Sequence, residues 1–466
     1  MVYTGKNKNM KSQKNNYRTL SLAAVSASAL LIACQAPAAH AQAAKQPDTL
    51  GLQALGAPLG KQLAADGVYF TGRLLAEPQA QASGGVKQGG FYEGYVALGA
   101  DLDMSKILGI PGGVMHISVG DLSGQPYYNY SGTAYLYNRA WVTGDEFRLA
   151  ELDWEQTLFN HHLRFIAGRL SLSSEFDTSF TYCQFAYSGC ANPAAFIFDK
   201  NAEPYLTSSW GGALTLKPTL NTYIKGGAFA YEPSLSLANH NNWPGSDWSF
   251  NKNTGATFPF EIGYLTTPKQ SRYPEHYDIG GYIDNSVYKG SSNGAKSQGR
   301  SGIYLQAEKM VWHPIDAPYQ SMTLFGAANW STSGNVPIEQ GFLAGFRVNG
   351  LIPTRPYDSF GVSGQYLGLN HGMIRGHNAA LIHEDYTDFT QADNEFGLEV
   401  NYGIFVAPGM QFTPFVYYAL NPDQFTQAAL AHHIDPNVNH SLTVGAAFTI
   451  NFAQALGMPQ LMRHPY

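Results

Sequence analysis

Charge is scarce in this chain. Asp, Glu, Lys and Arg make up 13 % of its 466 residues, about half the share usual in soluble proteins. Long apolar runs are missing too. Beyond the N-terminus no stretch approaches the roughly 18–20 residues that a helical membrane span requires, and the mean hydropathy of −0.21 is not that of a helical membrane protein. Cysteine is limited to three residues, which excludes a disulfide-dense scaffold. Low charge also argues against generic disorder. What the chain has instead is glycine (49), tyrosine (29) and 13 % aromatics. That combination leaves a secreted all-β protein or a membrane β-barrel.

The N-terminus points to export. Lys6, Lys8, Lys11, Lys14 and Arg18 precede an apolar stretch from Leu20 to Ala33, and Ala39-His40-Ala41 forms a small-x-small cleavage site. Residues 1–41 therefore read as a signal peptide. Leu31-Ile32-Ala33-Cys34 also has the look of a lipobox, but the better-placed cleavage site after Ala41 is preferred. Cleavage there removes five basic residues and no acid from a chain at −6, leaving −11, so nucleic acid is not an expected partner. It also leaves only Cys183 and Cys190, which are expected to pair in an oxidising compartment.

The rest of the chain alternates with period two. Leu442, Val444, Ala446, Phe448, Ile450 and Phe452 interleave with Ser441, Thr443, Gly445, Ala447, Thr449 and Asn451. The same pattern sets Phe396, Leu398, Val400 and Tyr402 against Glu395, Gly397, Glu399 and Asn401, and Phe342, Ala344, Phe346 and Val348 against Leu343, Gly345, Arg347 and Asn349. It also sets Ala150, Leu152 and Trp154 against Glu151, Asp153 and Glu155, and Ile303, Leu305 and Ala307 against Gly302, Tyr304, Gln306 and Glu308. Successive strand side chains face opposite ways, so each strand has one apolar and one hydrophilic face. Runs of about 8–12 residues suit tilted crossing of a bilayer. The expectation is a transmembrane antiparallel β-barrel of about 16 strands with a wet interior. Residues 42–66 read as a periplasmic N-terminal segment with a short helix carrying Leu52, Leu55, Leu59 and Leu63, residues 67–452 as the barrel, and 453–466 as a C-terminal tail. Segments 121–140 and 231–300 read mostly as loops, and Pro414 is expected to force a bulge or a strand end.

Several motifs resemble one family. Asp103-x-x-Lys106-x-x-Gly109-x-x-Gly112-Gly113 is followed by Arg148-Leu-x-Glu151-Leu-x-Trp154-Glu155-Gln156, then by Gly168-Arg169 and an aromatic loop with Cys183, Phe185 and Asn192-Pro193. Glu395-x-x-x-Glu399-x-x-Tyr402 then precedes Pro408, Pro414 and Asn421-Pro422. In order and spacing these resemble the carbohydrate-selective porins of the OprB family, over residues 50–452. The resemblance implies a 16-stranded outer-membrane barrel that passes monosaccharides, glucose above all, down their gradient. One departure is that the aromatic that usually closes the last strand would be Phe452, with fourteen residues behind it. The partners implied are monosaccharide solutes, outer-membrane lipid and the barrel assembly machinery, with a monomer and a trimer both open. No cofactor is implied.

A pore for a neutral polyol needs hydrogen-bonding groups of both kinds and flat apolar faces. Glu151, Asp153, Glu155, Glu395 and Glu399 supply acceptors on polar strand faces, and Arg169 and Arg347 supply opposing charge; these seven are the candidate sugar-contacting residues. Segment 171–207, with Phe176, Phe180, Tyr182, Phe185, Tyr187, Phe196 and Phe198, reads either as a constriction loop stiffened by the Cys183–Cys190 bridge or as an ordinary extracellular loop. An enzyme is not expected: no GxSxG or HExxH occurs, and His161-His162 and His432-His433 lie in turn-like surroundings. A general-diffusion porin for other small hydrophilic solutes remains the alternative.

Overall fold

The computed structural model describes residues 46–461 apart from 134–138, 141–144, 180, 188–205, 233–251, 291–293, 384–390 and 423–437. Sixteen antiparallel strands close on themselves, each pairing with its sequence neighbours and the first with the last. In chain order they are β1 Val68–Gly84, β2 Gly89–Asp103, β3 Gly113–Gly124, β4 Glu146–Leu158, β5 Leu163–Leu170, β6 Ser209–Leu216, β7 Thr222–Tyr231 and β8 Gly255–Leu265. They continue as β9 Glu275–Lys289, β10 Lys296–Trp312, β11 Ser321–Ser333, β12 Ile338–Asn349, β13 Ser359–Leu369, β14 Asn394–Ala407, β15 Met410–Leu420 and β16 His440–Asn451. Closure leaves no strand edge unpaired, which is what a bilayer demands.

The alternation has the sense expected of a lipid-facing wall. Ile279, Ile283, Phe260 and Ile262 point outward and are about half exposed. Their neighbours Asp278, Asp284 and Glu261 point inward and are buried. In water such a band would be costly at about 25 cal/mol per Å² of apolar surface; against lipid it is the expected solution. In β4 the parity changes once. Ser118 pairs with Glu151 but Val119 pairs with Leu149, so Ala150 is an extra residue in a bulge. Glu146, Arg148 and Ala150 therefore point inward before it, and Glu151, Asp153 and Glu155 after it. Ala150 is buried inside rather than facing outward with Leu152 and Trp154.

Two other expectations are corrected. Residues 255–289 are not mostly loop but form β8 and β9. Their lumen face is polar and their alternation is blurred by Gly280 and Gly281. Gly280 is needed there, because a Cβ would lie 2.3 Å from the Tyr304 ring. Pro414 neither bulges nor ends its strand. β15 runs through it, paired to Ala446 of β16. The missing donor is felt only toward β14, where pairing lapses between Asn401–Phe415 and Ile404–Phe412.

Short turns lie at one end of the barrel and longer connections at the other. The short-turn end carries α1 (Leu52–Ala65), α2 (Met104–Ile107) and α3 (Phe452–Ala455). The expected N-terminal helix is present, but its buried face is Gly56, Gly60 and Ala64, while Leu55 and Leu59 are 75 % and 53 % exposed. Small residues win because Leu456 and Met458, just past α3, lie against that face. A Cβ on Gly56 would meet Leu456 O at 2.4 Å, and one on Gly60 would meet Met458 Cα at 2.9 Å. Asp48 Oδ2 accepts the Gln53 N–H at the start of α1 (3.0 Å), and Lys106 Nζ donates to Ala64 O at its end. The Lys106 ammonium is held above its ordinary pKa chiefly by its hydrogen bond to Tyr69 OH. Gly60→Leu is expected to unseat this contact and cost roughly 1–3 kcal/mol. The temperature at which the folded band converts to the unfolded one on SDS gels should fall. An unchanged conversion temperature would mean that the α1–α3 contact does not secure the barrel.

Candidate functional site

The interior is narrowed by the connection that leaves β5. Residues 171–187 turn inward through two short 3₁₀ turns, Leu172–Ser174 and Tyr182–Gln184. They then follow the lumen wall, tethered strand by strand. Arg164 of β5 holds Glu175 (2.6 Å), and Lys225 Nζ of β7 donates to Glu175 O (2.7 Å). The Asp177 N–H donates to Glu261 of β8 (2.8 Å), and Gln306 Nε2 of β10 donates to Thr178 O (3.0 Å). Tyr182 OH donates to Gly326 O of β11 (3.3 Å). The Ala186 and Tyr187 N–H groups both donate to the Glu399 carboxylate of β14, at 3.0 and 2.8 Å. Gln365 of β13 donates to Tyr187 O, and Tyr187 OH reaches Gln79 of β1.

Aromatic packing completes the seating. The Tyr187 ring stacks on Tyr417 of β15, with centroids 3.9 Å apart and planes 7° apart, and meets Tyr127 edge-on at 4.8 Å. Tyr182 and Phe185 both pack on Phe325, each at 5.4 Å. Phe185 also covers Gly361 of β13, where a Cβ would lie 2.8 Å from the ring. The buried apolar cluster of Tyr182, Phe185, Phe325, Ala327 and Leu343 thus lies inside the barrel, not between layers.

The seven candidate residues sit in different settings. Glu151 accepts from Ser118 Oγ (3.1 Å), and Asp153 is buried beside it on the lumen face of β4. Glu155 is paired with Arg164 (2.8 Å) and lies 3.6 Å from His116 Nε2, whose Nδ1 meets Asp101 at 2.7 Å. Arg169, fully buried, donates to the hydroxyl and carbonyl of Ser208 (3.4 and 3.2 Å). Glu395 accepts from Thr133 Oγ1 (2.9 Å). Glu399 is the double acceptor for the inward segment. Arg347 lies on the inner face of β12, level with Thr323 and with Gly361 under Phe185, and its Nε has no hydrogen-bond partner among the described residues. The structure therefore groups Glu151, Asp153 and Glu155 on one stretch of wall, and Glu399 with Arg347 near the far end of the inward segment.

Sequence reasoning missed Lys225 and Glu261, a fully buried pair 2.9 Å apart that fixes the start of the inward segment. The signal was present: each sits on the inward parity of a short strand, where an isolated charge is unusual unless paired. Cys190, Phe180, Phe196 and Phe198 lie outside the described residues, as does the Cys183 side chain, and so does the whole of 1–41.

Comparison with known proteins agrees with this architecture. Residues 87–452 match the family described as carbohydrate-selective porin, OprB family. Porin B of Pseudomonas aeruginosa is 22 % identical over 418 residues, covering 83 % of this chain and 90 % of that protein. The high-pH structure of Pseudomonas putida OprB superposes with a TM-score of 0.73 at 19 % identity, covering 84 % of this chain and 96 % of that one. The low-pH structure of the same protein gives 0.53 at 17 % identity, over 84 % and 95 %. These relatives are outer-membrane channels, not enzymes, and the family match extends over most of the barrel: the chain belongs to the carbohydrate-selective porin, OprB family.

Proposed function

We propose that this porin passes neutral monosaccharides such as glucose into the periplasm by passive diffusion, selecting them where residues 171–187 narrow the lumen. One observation carries the reading. On the lumen wall the half-buried Glu151 of β4 and Arg347 of β12 bring a carboxylate and a guanidinium, so a solute covered in hydroxyls finds both an acceptor and a donor. Glu151, Asp153, Glu155 and Glu395 act as acceptors in this reading, Arg347 as the donor beneath Phe185, and Arg169 as a wall charge. Glu399 contributes by holding the segment in place. Cys183 and Cys190 form the bridge that stiffens the same connection, and residues 1–41 are removed on export.

The charge pattern makes a second expectation. A lumen with more carboxylates than cations repels anions while leaving neutral solutes unaffected. In liposome swelling, glucose should enter faster than a neutral amino acid of similar size, and much faster than an anionic sugar acid. The second gap should narrow at high salt as the wall charge is screened. Glu151→Gln with Asp153→Asn should raise anion flux and preserve the barrel, since the lumen is wet and each amide remains polar. Equal entry of glucose and the amino acid would leave a general-diffusion pore.

A further inference from the structure

The outer mouth holds a cavity that the constriction does not use. It measures about 730 Å³ and lies where the β9–β10 hairpin meets the end of β11, within the size range of small-ligand sites. Asp284, Tyr288, Ser297, Gln298, Arg300 and Asn335 give it its chemistry. The register slips beside it: Gln298 pairs with Val287 but Arg300 pairs with Asp284, so Asn285 and Ser286 of β9 stand opposite Gly299 alone, which takes φ +78°. The bulge separates the strand's outer and inner runs.

Its charged groups are rigid and already balanced. Arg300 Nε donates to Asp284 Oδ2 at 2.8 Å, and the Ser286 N–H donates to Asp284 Oδ1 at 2.7 Å. The guanidinium lies 4.3 Å from the Tyr288 ring centroid and 4.9 Å from that of Tyr231, so its plane is fixed between two aromatics. Its Nη2 is buried and has no hydrogen-bond partner among the described residues. An anion would gain little from a cation already paired, and a cation little from a carboxylate already paired. With both charges buried and spent on each other, the groups left facing the cavity include the hydroxyls and amide of Ser297, Gln298 and Ser333, which suit a neutral solute with adjacent hydroxyls.

We infer that this cavity is an outer capture site for a neutral saccharide, loaded before the solute reaches residues 171–187. The inference rests on the sugar-porin reading above. A capture site raises entry only while it is unsaturated, so its loss has a concentration signature that a damaged barrel lacks.

The test uses two variants of the whole porin in liposomes. Ser297→Ala with Gln298→Ala strips polar groups from the rim, and Ser333→Trp fills the space from the end of β11. Both should reduce glucose entry at low concentration about fivefold, the factor of one net hydrogen bond. Both should leave entry at saturating glucose, and ion conductance, unchanged. Parental glucose entry at low concentration in both variants would overturn the capture site, as would a loss of equal size at all concentrations. Failure of the underlying reading shows separately, in the parent protein, as equal entry of glucose and a neutral amino acid.

Discussion

Glu399→Ala should widen the channel and abolish its discrimination among solutes. The carboxylate takes two backbone N–H groups from residues 186 and 187 and is itself buried. Alanine leaves both donors without a partner, at roughly 1–3 kcal/mol each. The segment then lowers its energy by leaving the wall. Tyr187 would lose its stack on Tyr417, and its carbonyl the bond from Gln365. Single-channel conductance in planar bilayers should rise, and the ratio of glucose to amino acid entry should fall toward one. Glu399→Gln keeps one accepting oxygen and should sit between parent and alanine. Parental conductance and selectivity in the alanine variant would mean that the remaining tethers suffice and that Glu399 is only wall.

The other large effect is expected at the opposite end of the same segment. Lys225 is buried against Glu261 (2.9 Å), donates to Glu175 O, and lies over the Tyr223 ring. Lys225→Met leaves Glu261 charged and buried, although it still accepts from the Asp177 N–H and Tyr304 OH. Removing one partner of such a pair costs about 3–5 kcal/mol. Urea unfolding in detergent micelles should show that loss. Adding Glu261→Gln should recover part of it, because the stranded charge goes. If the double variant is no more stable than the single one, the lysine acts through its packing and its bond to Glu175 O rather than through charge.

Much of this was legible in the sequence, for a physical reason. Lipid outside and water inside impose opposite demands on successive residues, so strands such as β14 and β16 declare both faces at once. β9 did not, because Gly280 and Gly281 remove the side chains that would mark the alternation. Ala150 was misplaced because a bulge adds a residue without leaving a mark in composition. The carboxylates of β4 and β14 were visible as inward groups, but their work was not. Whether Glu399 meets a solute or a backbone N–H depends on a segment more than two hundred residues away. The same distance hid the Lys225–Glu261 pair, which belongs together only once β7 and β8 are side by side. In α1 the leucine stripe drew attention, while the contact is made by glycines, whose role shows only when Leu456 and Met458 arrive.

The placement of α1 bears on how the cylinder is shut. β1 and β16 join residues as far apart as Arg73 and Asn451, the most distant pairing in the chain. Such a junction forms late, since the ends must find one another by diffusion. Thr49, just before α1, donates to Val406 O at the β14–β15 turn (2.8 Å). Lys106, beside the β2–β3 turn, holds the Ala64 carbonyl near the helix's end, and Leu456 and Met458 rest on its glycines. The helix therefore spans the junction from one side to the other, like a bolt across a double door. With it docked, the first and last strands are held at high effective concentration and re-pair before they diffuse apart. Amide hydrogens along the β1–β16 ladder are therefore expected to exchange faster once the helix is unseated, which couples the barrel's closing seam to a contact made at its short-turn end.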